Sequence, residues 1–366
     1  MKIWSGSIPS TGYGRTGDGN INENLNKPND LSKVSIVILN WNGEKFLKKF
    51  LPKVVSNSFA TGHEVEVVVA DNGSTDGSVD WLKNEFPEVR TILFNTNHGF
   101  TGGYNLALKQ VDADYYLLLN SDVDVPEGWL EPLVQFMESN PQVAACQPKL
   151  LSYAEPNRFE YAGASGGFID FLGYPFCRGR ILSVTEIDEG QYNDASEVFW
   201  ASGACMLIRS TDFWSVGGFD NDFFAHMEEI DLCWRLKNMG RSIWVVPQSK
   251  VFHVGGGTLP NNNPRKVYFN HRNNLYMLLK NLPGRKLLVV IPFRILLDWF
   301  SAFLYLMSGK FGFFISVFQA HLTFISNSKR IYRKRLGEPF RANSLFQKSI
   351  LLSFFILRRD KFSKLY

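Results

Sequence analysis

Two carboxylates two residues apart, Asp122 and Asp124, follow the uncharged run YYLLLNS that ends at Ser121. Such a run reads as a strand buried on both faces. Side chains two apart in an extended chain point the same way. The pair is therefore expected to face one site at the carboxyl end of a strand, where a hard divalent cation offsets the mutual repulsion; a solvated turn before Pro126 is the other reading. A second acidic cluster, Glu228, Glu229 and Asp231, follows the aromatics Phe223, Phe224 and His226. On a helix starting near Glu228, Asp231 lies one turn on and gains from the helix dipole. Arg235 is spaced to hold Asp231, leaving one of the glutamates as a general base. His253, closely followed by three glycines at the end of an apolar strand, is a candidate third metal ligand.

Two further polar segments sit after apolar runs. In ADNGSTDGS, Asp71 can accept hydrogen bonds from a pyrimidine N–H or a ribose hydroxyl, and the Gly and Ser after it let backbone approach a ligand; ordinary turn chemistry explains the same residues. In NHGFTGGYN, Asn97 to Asn105, three glycines precede an expected helix over Tyr104–Gln110, so the loop would offer backbone N–H groups to a phosphate. Its spacing is not the GxGxxG of a dinucleotide site.

The elements expected to position these residues alternate. VSIVILNWNG begins as a strand, the segment from Glu44 to Ser56 has a helical apolar face that Pro52 is expected to kink or shorten, and EVEVVVADN is a second strand. Val79 to Phe86 reads as a helix, TILFN as a short strand and Tyr115 to Asn120 as the buried strand of the acidic pair. Alternation of this kind implies a mostly parallel sheet flanked by helices, with ligands beyond the carboxyl ends of the strands. Gln147 to Ala195 loosens into Gly, Pro and aromatic residues, expected to be extended loops or a β excursion walling an acceptor cleft. A helix over Glu228–Asn238 closed by Gly240 and a further strand ending at His253 complete the domain.

A chain of 366 residues with net charge +4 gives no case for nucleic acid as a partner. Four scattered cysteines without a CxxC pair point to neither zinc nor disulfides, and to a reducing compartment. Residues 1–32 are expected to be a disordered leader. Beyond residue 264, Lys and Arg recur among long apolar runs while acids become scarce, a membrane-surface composition.

Together and in this order, VSIVILNWNG, ADNGSTDGS, NHGFTGGYN, LLLNSDVDV, WASGACMLIRS, GGFDNDFFAHMEEIDLCWR and FHVGGGT resemble the family 2 glycosyltransferases of the GT-A fold, in particular the bacterial rhamnosyltransferase-like branch. The resemblance covers roughly residues 34–283. It implies an α/β nucleotide-sugar-binding domain over 33–283, and inverting transfer from a nucleotide-diphosphate sugar donor to a lipid-linked saccharide acceptor, assisted by Mg2+ or Mn2+. Carried onto this sequence, Leu39, Asn40 and Trp41 line the base pocket and Asp71 binds base or ribose. Asn97 and Gly103 lie along the diphosphate and sugar. The family's DxD falls on Asn120, Ser121 and Asp122, making Asp122 the chief metal ligand and Asp124 an accessory one, with His253 as the metal-binding histidine. Glu229 stands where the base is expected, with Glu228 before it. Trp200 and Asp231 are the candidates on the acceptor side, Trp200 either as a stacking face for a sugar or as a core aromatic.

Residues 284–366 are expected to form amphipathic helices lying on the cytoplasmic face of the membrane, with Arg330, Arg333, Lys334 and Arg335 drawn to anionic lipid. A true span over Leu287–Met307 is the alternative, interrupted by Pro292, Arg294 and Asp298, the last two spaced to pair. Two rival functions remain at this stage. A sugar-phosphate nucleotidyltransferase would want Lys or Arg in place of the Glu228–Glu229 base, and a non-catalytic membrane-associated nucleotide-sugar-binding protein would not need the acids intact.

Overall fold

Four parallel strands carry the first third of the protein in a computed structural model that describes residues 32–255, 263–335 and 345–365. The expected leader lies outside the described residues apart from Ser32, which opens β1. Strands β1 (Ser32–Asn40), β2 (His63–Asn72), β3 (Arg90–Phe94) and β4 (Tyr115–Asn120) alternate with helices α1 (Glu44–Asn57), α2 (Ser78–Glu85) and α3 (Gly99–Leu108), and lie side by side as β4-β1-β2-β3. Register places Asn40 beside Asp71 and Leu39 beside Asn120. The polar strand ends named above therefore share one edge of the sheet.

The apolar runs of β1 and β4 work on both faces. Val37 and Leu118 enter one core cluster, while Ile36, Ile38, Leu117 and Leu119 enter the other. This is the period-two alternation of a sheet covered on both sides.

After β4 the chain turns through Ser121 and Asp122 into the two-residue strand β5 (Val123–Asp124), then α4 (Glu131–Ser139) and β6 (Val143–Ser152). The β excursion is a separate antiparallel sheet of β7 (Gly167–Ile169), β8 (Pro175–Cys177), β9 (Arg180–Ile181) and β10 (Val184–Thr185). The main sheet then resumes with β11 (Ser196–Val198), β12 (Cys205–Arg209), α5 (Ser210–Ser215), α6 (Glu228–Asn238) and β13 (Ser242–His253). β12 runs antiparallel to both β4 and β6, β6 and β13 are parallel, and β5 and β11 pair antiparallel with β13. Pro247 falls in a register shift between Val246 and Lys250, where its missing N–H costs no ladder bond.

Two boundaries differ from expectation. Pro52 neither kinks α1 to a stop nor shortens it, because it sits on the exposed side, where the carbonyl one turn back reaches water. α3 begins at Gly99, five residues early, so Gly102 and Gly103 are helical rather than loop. Packing explains the glycine: a Cβ on Gly103 would lie 2.8 Å from the Leu39 side chain and 3.0 Å from the Asn72 amide. Only a bare backbone lets the helix approach β1 and β2 that closely.

The chain ends in α7 (Pro264–Asn281), α8 (Gly284–Met307), α9 (Phe311–Tyr332) and α10 (Ile350–Phe355). Helix α8 is long and apolar enough to cross a membrane by length and composition. Its two mid-helix charges, Arg294 and Asp298, nevertheless face inward, while Arg285 and Lys286 in its first turn are exposed. Arg294 Nε donates to Asp298 Oδ1 at 3.0 Å, the guanidinium lies 3.7 Å from the Tyr174 ring centroid, and His321 Nε2 is 3.3 Å from Asp298 Oδ2. Meanwhile Leu288, Val289, Leu296, Phe300, Met307, Phe311, Ile325 and Ile356 are exposed. Between their charged ends, α8 and α9 bury the Arg294, Asp298 and His321 cluster and present apolar side chains, the reverse of a helix on a soluble protein's surface.

Candidate active site

At the end of β1, Asn40 Nδ2 donates to Asp71 Oδ2 at 3.0 Å, and the backbone N–H of Ser74 donates to Asp71 Oδ1 at 2.9 Å. Ser74 Oγ accepts from the Asn42 N–H, and Asn42 Oδ1 accepts from the Thr75 N–H. The two loops after β1 and β2 are thus tied into one polar surface around a nearly buried carboxylate. Asn40 Oδ1 is buried with no partner, and the Trp41 ring stands exposed beside it in sequence. Leu39 is half-buried under Gly103.

Asp122 lies in the turn after β4, and His253 ends β13. Pairing of β5 with β13 sets Val123 opposite His253, which brings His253 Nε2 to 3.1 Å from Asp122 Oδ1; the Asn120 amide is 3.5 Å from the same nitrogen. His253 Nδ1 is buried without a hydrogen bond, 3.4 Å from Glu160 Oε1. Burial disfavours the His253 cation, but the hydrogen bond to Asp122 and the nearby charge of Glu160 outweigh it and carry the imidazole up to about 10. Burial likewise opposes ionisation of Asp122, and the bond to His253 holds that carboxyl below its ordinary value.

Asp124 does not join this pair. The turn breaks the extended chain between the two acids, and Asp124 is held by Lys53 Nζ of α1 at 2.7 and 2.9 Å. Among the described residues no three His, Cys, Asp or Glu side chains are set to hold a metal by themselves. One carboxylate oxygen and one imidazole nitrogen do converge, and the second ring nitrogen sits beside a carboxylate, a common arrangement for a metal-bound histidine. That donor set fits Mg2+ or Mn2+ if diphosphate oxygens and water complete the shell. Gly256, Gly257 and Thr258 of the expected glycine run lie outside the described residues.

The glycine segment does not offer its amides to a phosphate. The N–H of His98 donates to Asn72 Oδ1, that of Gly99 to Asn97 Oδ1, and those of Phe100 and Thr101 to the Phe224 carbonyl at 2.8 and 3.3 Å. Asn97 therefore acts as a clasp, joined through Asn72 to the end of β2.

Glu228 and Glu229 open α6, and one oxygen of each is buried with no hydrogen-bond partner. Burial raises both carboxyls, Glu229 to about 7; Glu228 rises further because the Glu229 charge adds to its burial. A carboxyl group raised in this way is suited to accept a proton near neutral pH. Asp231 is different. Its oxygens accept from Arg235 Nε at 2.9 Å, Lys280 Nζ at 2.9 Å and Asn281 Nδ2 at 2.8 Å, and it has no exposed surface. Burial opposes its ionisation, and the charges of Arg235 and Lys280 prevail and hold its carboxyl low. It is a structural anion, not an acceptor ligand. Trp200 is also in the core: its Nε1 donates to the Phe168 carbonyl at 3.0 Å, and Gly167 packs so closely on its ring that a Cβ there would lie 2.0 Å away. No face remains for a sugar.

Sequence reasoning missed Glu160, Asn42, Ser74 and the two α7 residues that hold Asp231, Lys280 by charge and Asn281 by a hydrogen bond. Asn42 and Ser74 stand inside motifs already singled out. Glu160 lies in the loose segment after β6, where no periodicity marks it.

Residues 35–217 match the description "Glycosyl transferase family 2", and this chain belongs to that family. Over 236 residues it is 30% identical to the N-acetylglucosaminyl-diphospho-decaprenol L-rhamnosyltransferase of Mycobacterium tuberculosis (strain ATCC 25618 / H37Rv), covering 60% of this chain and 75% of that protein. Over 229 residues it is 27% identical to rhamnosyltransferase WbbL of Escherichia coli (strain K12), covering 60% and 83%. Its fold is similar to the crystal structure of GalNAc-T7 with UDP, GalNAc and Mn2+, at a TM-score of 0.53 and 15% identity; the match covers 69% of this chain and 48% of that one. The protein is a rhamnosyltransferase-like glycosyltransferase with the GT-A fold.

Proposed function

We propose that this enzyme transfers a sugar, rhamnose being the first candidate, from a nucleoside-diphosphate sugar to a hydroxyl of a lipid-linked saccharide, with inversion, at the cytoplasmic face of a membrane. The observation that carries this reading is the meeting of Asp122 with His253 at 3.1 Å at the carboxyl ends of the strands, in a chain whose α6 opens with a buried Glu228 and a half-buried Glu229 of raised proton affinity. The names of the relatives supply the sugar and the lipid-linked acceptor.

In this reading Asn40, Asp71, Asn42 and Ser74 bind the base and ribose, with the Trp41 ring beside them. The unpartnered Asn40 oxygen provides an acceptor for a base N–H. Leu39, Asn97, Gly103 and Asn120 shape the surface by packing and by clasping loops. Asp122 and His253 would hold a divalent cation, which would supply positive charge to offset that developing on a departing nucleoside diphosphate. Glu229 takes the proton of the acceptor hydroxyl as that oxygen attacks the anomeric carbon, while the C–O bond to the diphosphate breaks. Glu228 lies beside Glu229, its own carboxyl raised by burial and by the Glu229 charge.

The exposed apolar face of α8 and α9 lies in the lipid interface, which brings the site to an acceptor whose head group is found only at that surface. Thermal unfolding with a panel of nucleoside diphosphates, with and without Mn2+, tests the donor site. A rise in melting temperature that needs both nucleotide and metal is expected. No shift under any combination sinks the reading.

A further inference from the structure

The turn that leads into α6 is held in a conformation its residues do not favour. Phe224, His226 and Met227 all have positive φ, at 66°, 69° and 70°, and none is glycine, asparagine or aspartate. Cβ sterics work against that region for such side chains, so something outside the turn must hold it.

Helix α7 supplies the restraint. Asn273, with no exposed surface, directs its amide nitrogen at three carbonyls of the turn: Phe223 at 2.9 Å, Ala225 at 2.7 Å and His226 at 2.7 Å. Its neighbour Arg272 donates from Nη2 to the Asp222 and Phe223 carbonyls, both at 2.9 Å. The Phe224 ring stacks on Phe269 of the same helix, with centroids 5.5 Å apart and planes 14° from parallel. On the other side the Phe224 carbonyl caps the start of α3. Met227 is the N-cap residue of α6, so the next two residues are Glu228 and Glu229. One carboxylate oxygen of each glutamate has no partner among the described residues, so the turn at the start of α6 is what aims them.

We propose that Asn273 and Arg272 are positioning residues for the glutamate pair: by gripping the carbonyls of Asp222, Phe223, Ala225 and His226 they impose the turn that starts α6 and aim Glu229 at the acceptor hydroxyl. This rests on the reading of Glu229 as the base. The same α7 carries Tyr268, whose hydroxyl donates to Thr323 Oγ1 of α9 at 3.2 Å. One helix therefore links the apolar outer layer to the turn that presents the base.

The test is steady-state kinetics and nucleotide binding on Asn273→Ala, Arg272→Ala and Arg272→Lys, with Glu229→Gln as reference. A displaced base costs turnover, so kcat is expected to fall about 10- to 100-fold in the two alanine variants. Affinity for nucleoside diphosphate with Mn2+ should stay within about twofold, because its ligands lie on β1, β2, β4 and β13, and Arg272→Lys should recover part of the loss. The acid limb of the kcat profile should also move to lower pH as water reaches the pair. The titratable groups facing that pair are Asp231 and Cys233 on α6 and Cys177 on β8. If Asn273→Ala does not fold, Arg272→Ala decides. Turnover near wild type in the folded α7 variants, with Glu229→Gln inactive, overturns the positioning role. Nucleotide affinity falling in step with kcat overturns it too, by reducing both residues to general structural supports. Full activity in Glu229→Gln instead overturns the assignment of the base.

Discussion

Asp122 and His253 stand 131 residues apart in sequence and 3.1 Å apart in space, joined because β5 and β13 pair immediately next to them. Asp122→Ala and His253→Ala are each expected to abolish the Mn2+-dependent part of nucleotide stabilisation. Glu160→Ala, which removes the carboxylate 3.4 Å from His253 Nδ1, should weaken Mn2+ binding about 10- to 100-fold while leaving the fold intact. Electron paramagnetic resonance of Mn2+ titrated into each protein reads this directly. Unchanged affinity in all three would remove the metal from this site.

Asp231 is predicted to matter for stability rather than for acceptor recognition. Replacing it by Ala leaves Arg235 buried without its carboxylate and Lys280 with Asp220 alone, a loss of about 3–5 kcal/mol. Chemical denaturation of Asp231→Ala beside Trp200→Phe checks it. The first should be severely destabilised, and any surviving folded enzyme should keep its acceptor KM.

Burial holds Glu228 and Glu229 above the ordinary carboxylate range, so folding is favoured while they carry protons. That contribution is complete below the value an unfolded glutamate shows and is lost as pH rises through the folded value. Glu228→Gln should therefore melt higher than wild type at pH 8, with the gap closing at pH 5. Wild-type kcat should rise with pH through about 7 as Glu229 loses its proton. A melting difference independent of pH would contradict the burial argument.

Membrane contact should depend on the outward apolar face. Leu296→Glu with Phe300→Glu places two charges where both side chains are exposed, so the fold has no reason to change. Sedimentation with vesicles containing anionic phospholipid should lose the double variant and retain wild type. Transfer to a water-soluble acceptor should be unaffected. Equal co-sedimentation of the two proteins would disprove docking through α8.

Local chemistry made much of this protein legible from its sequence. The uncharged run of β4, the polar breaks after β1 and β2, and the periodicity of α6 each depend on a few adjacent residues, and the parallel sheet follows from their alternation. The ordered motifs carried the family as well. Tertiary structure decided which acids work together. Asp122 and Asp124 are two apart, yet a turn sends one to His253 and the other to Lys53; Asp231 is two residues from Glu229, yet Lys280 and Asn281 of the distant α7 join the nearby Arg235 in claiming it. The glycines before α3 suited a phosphate loop until the helix was seen to start among them and to have its first amides capped by Phe224. Sequence spacing fixes which residues share a strand or helix face, whereas the charge state and availability of a carboxylate depend on what folding brings beside it.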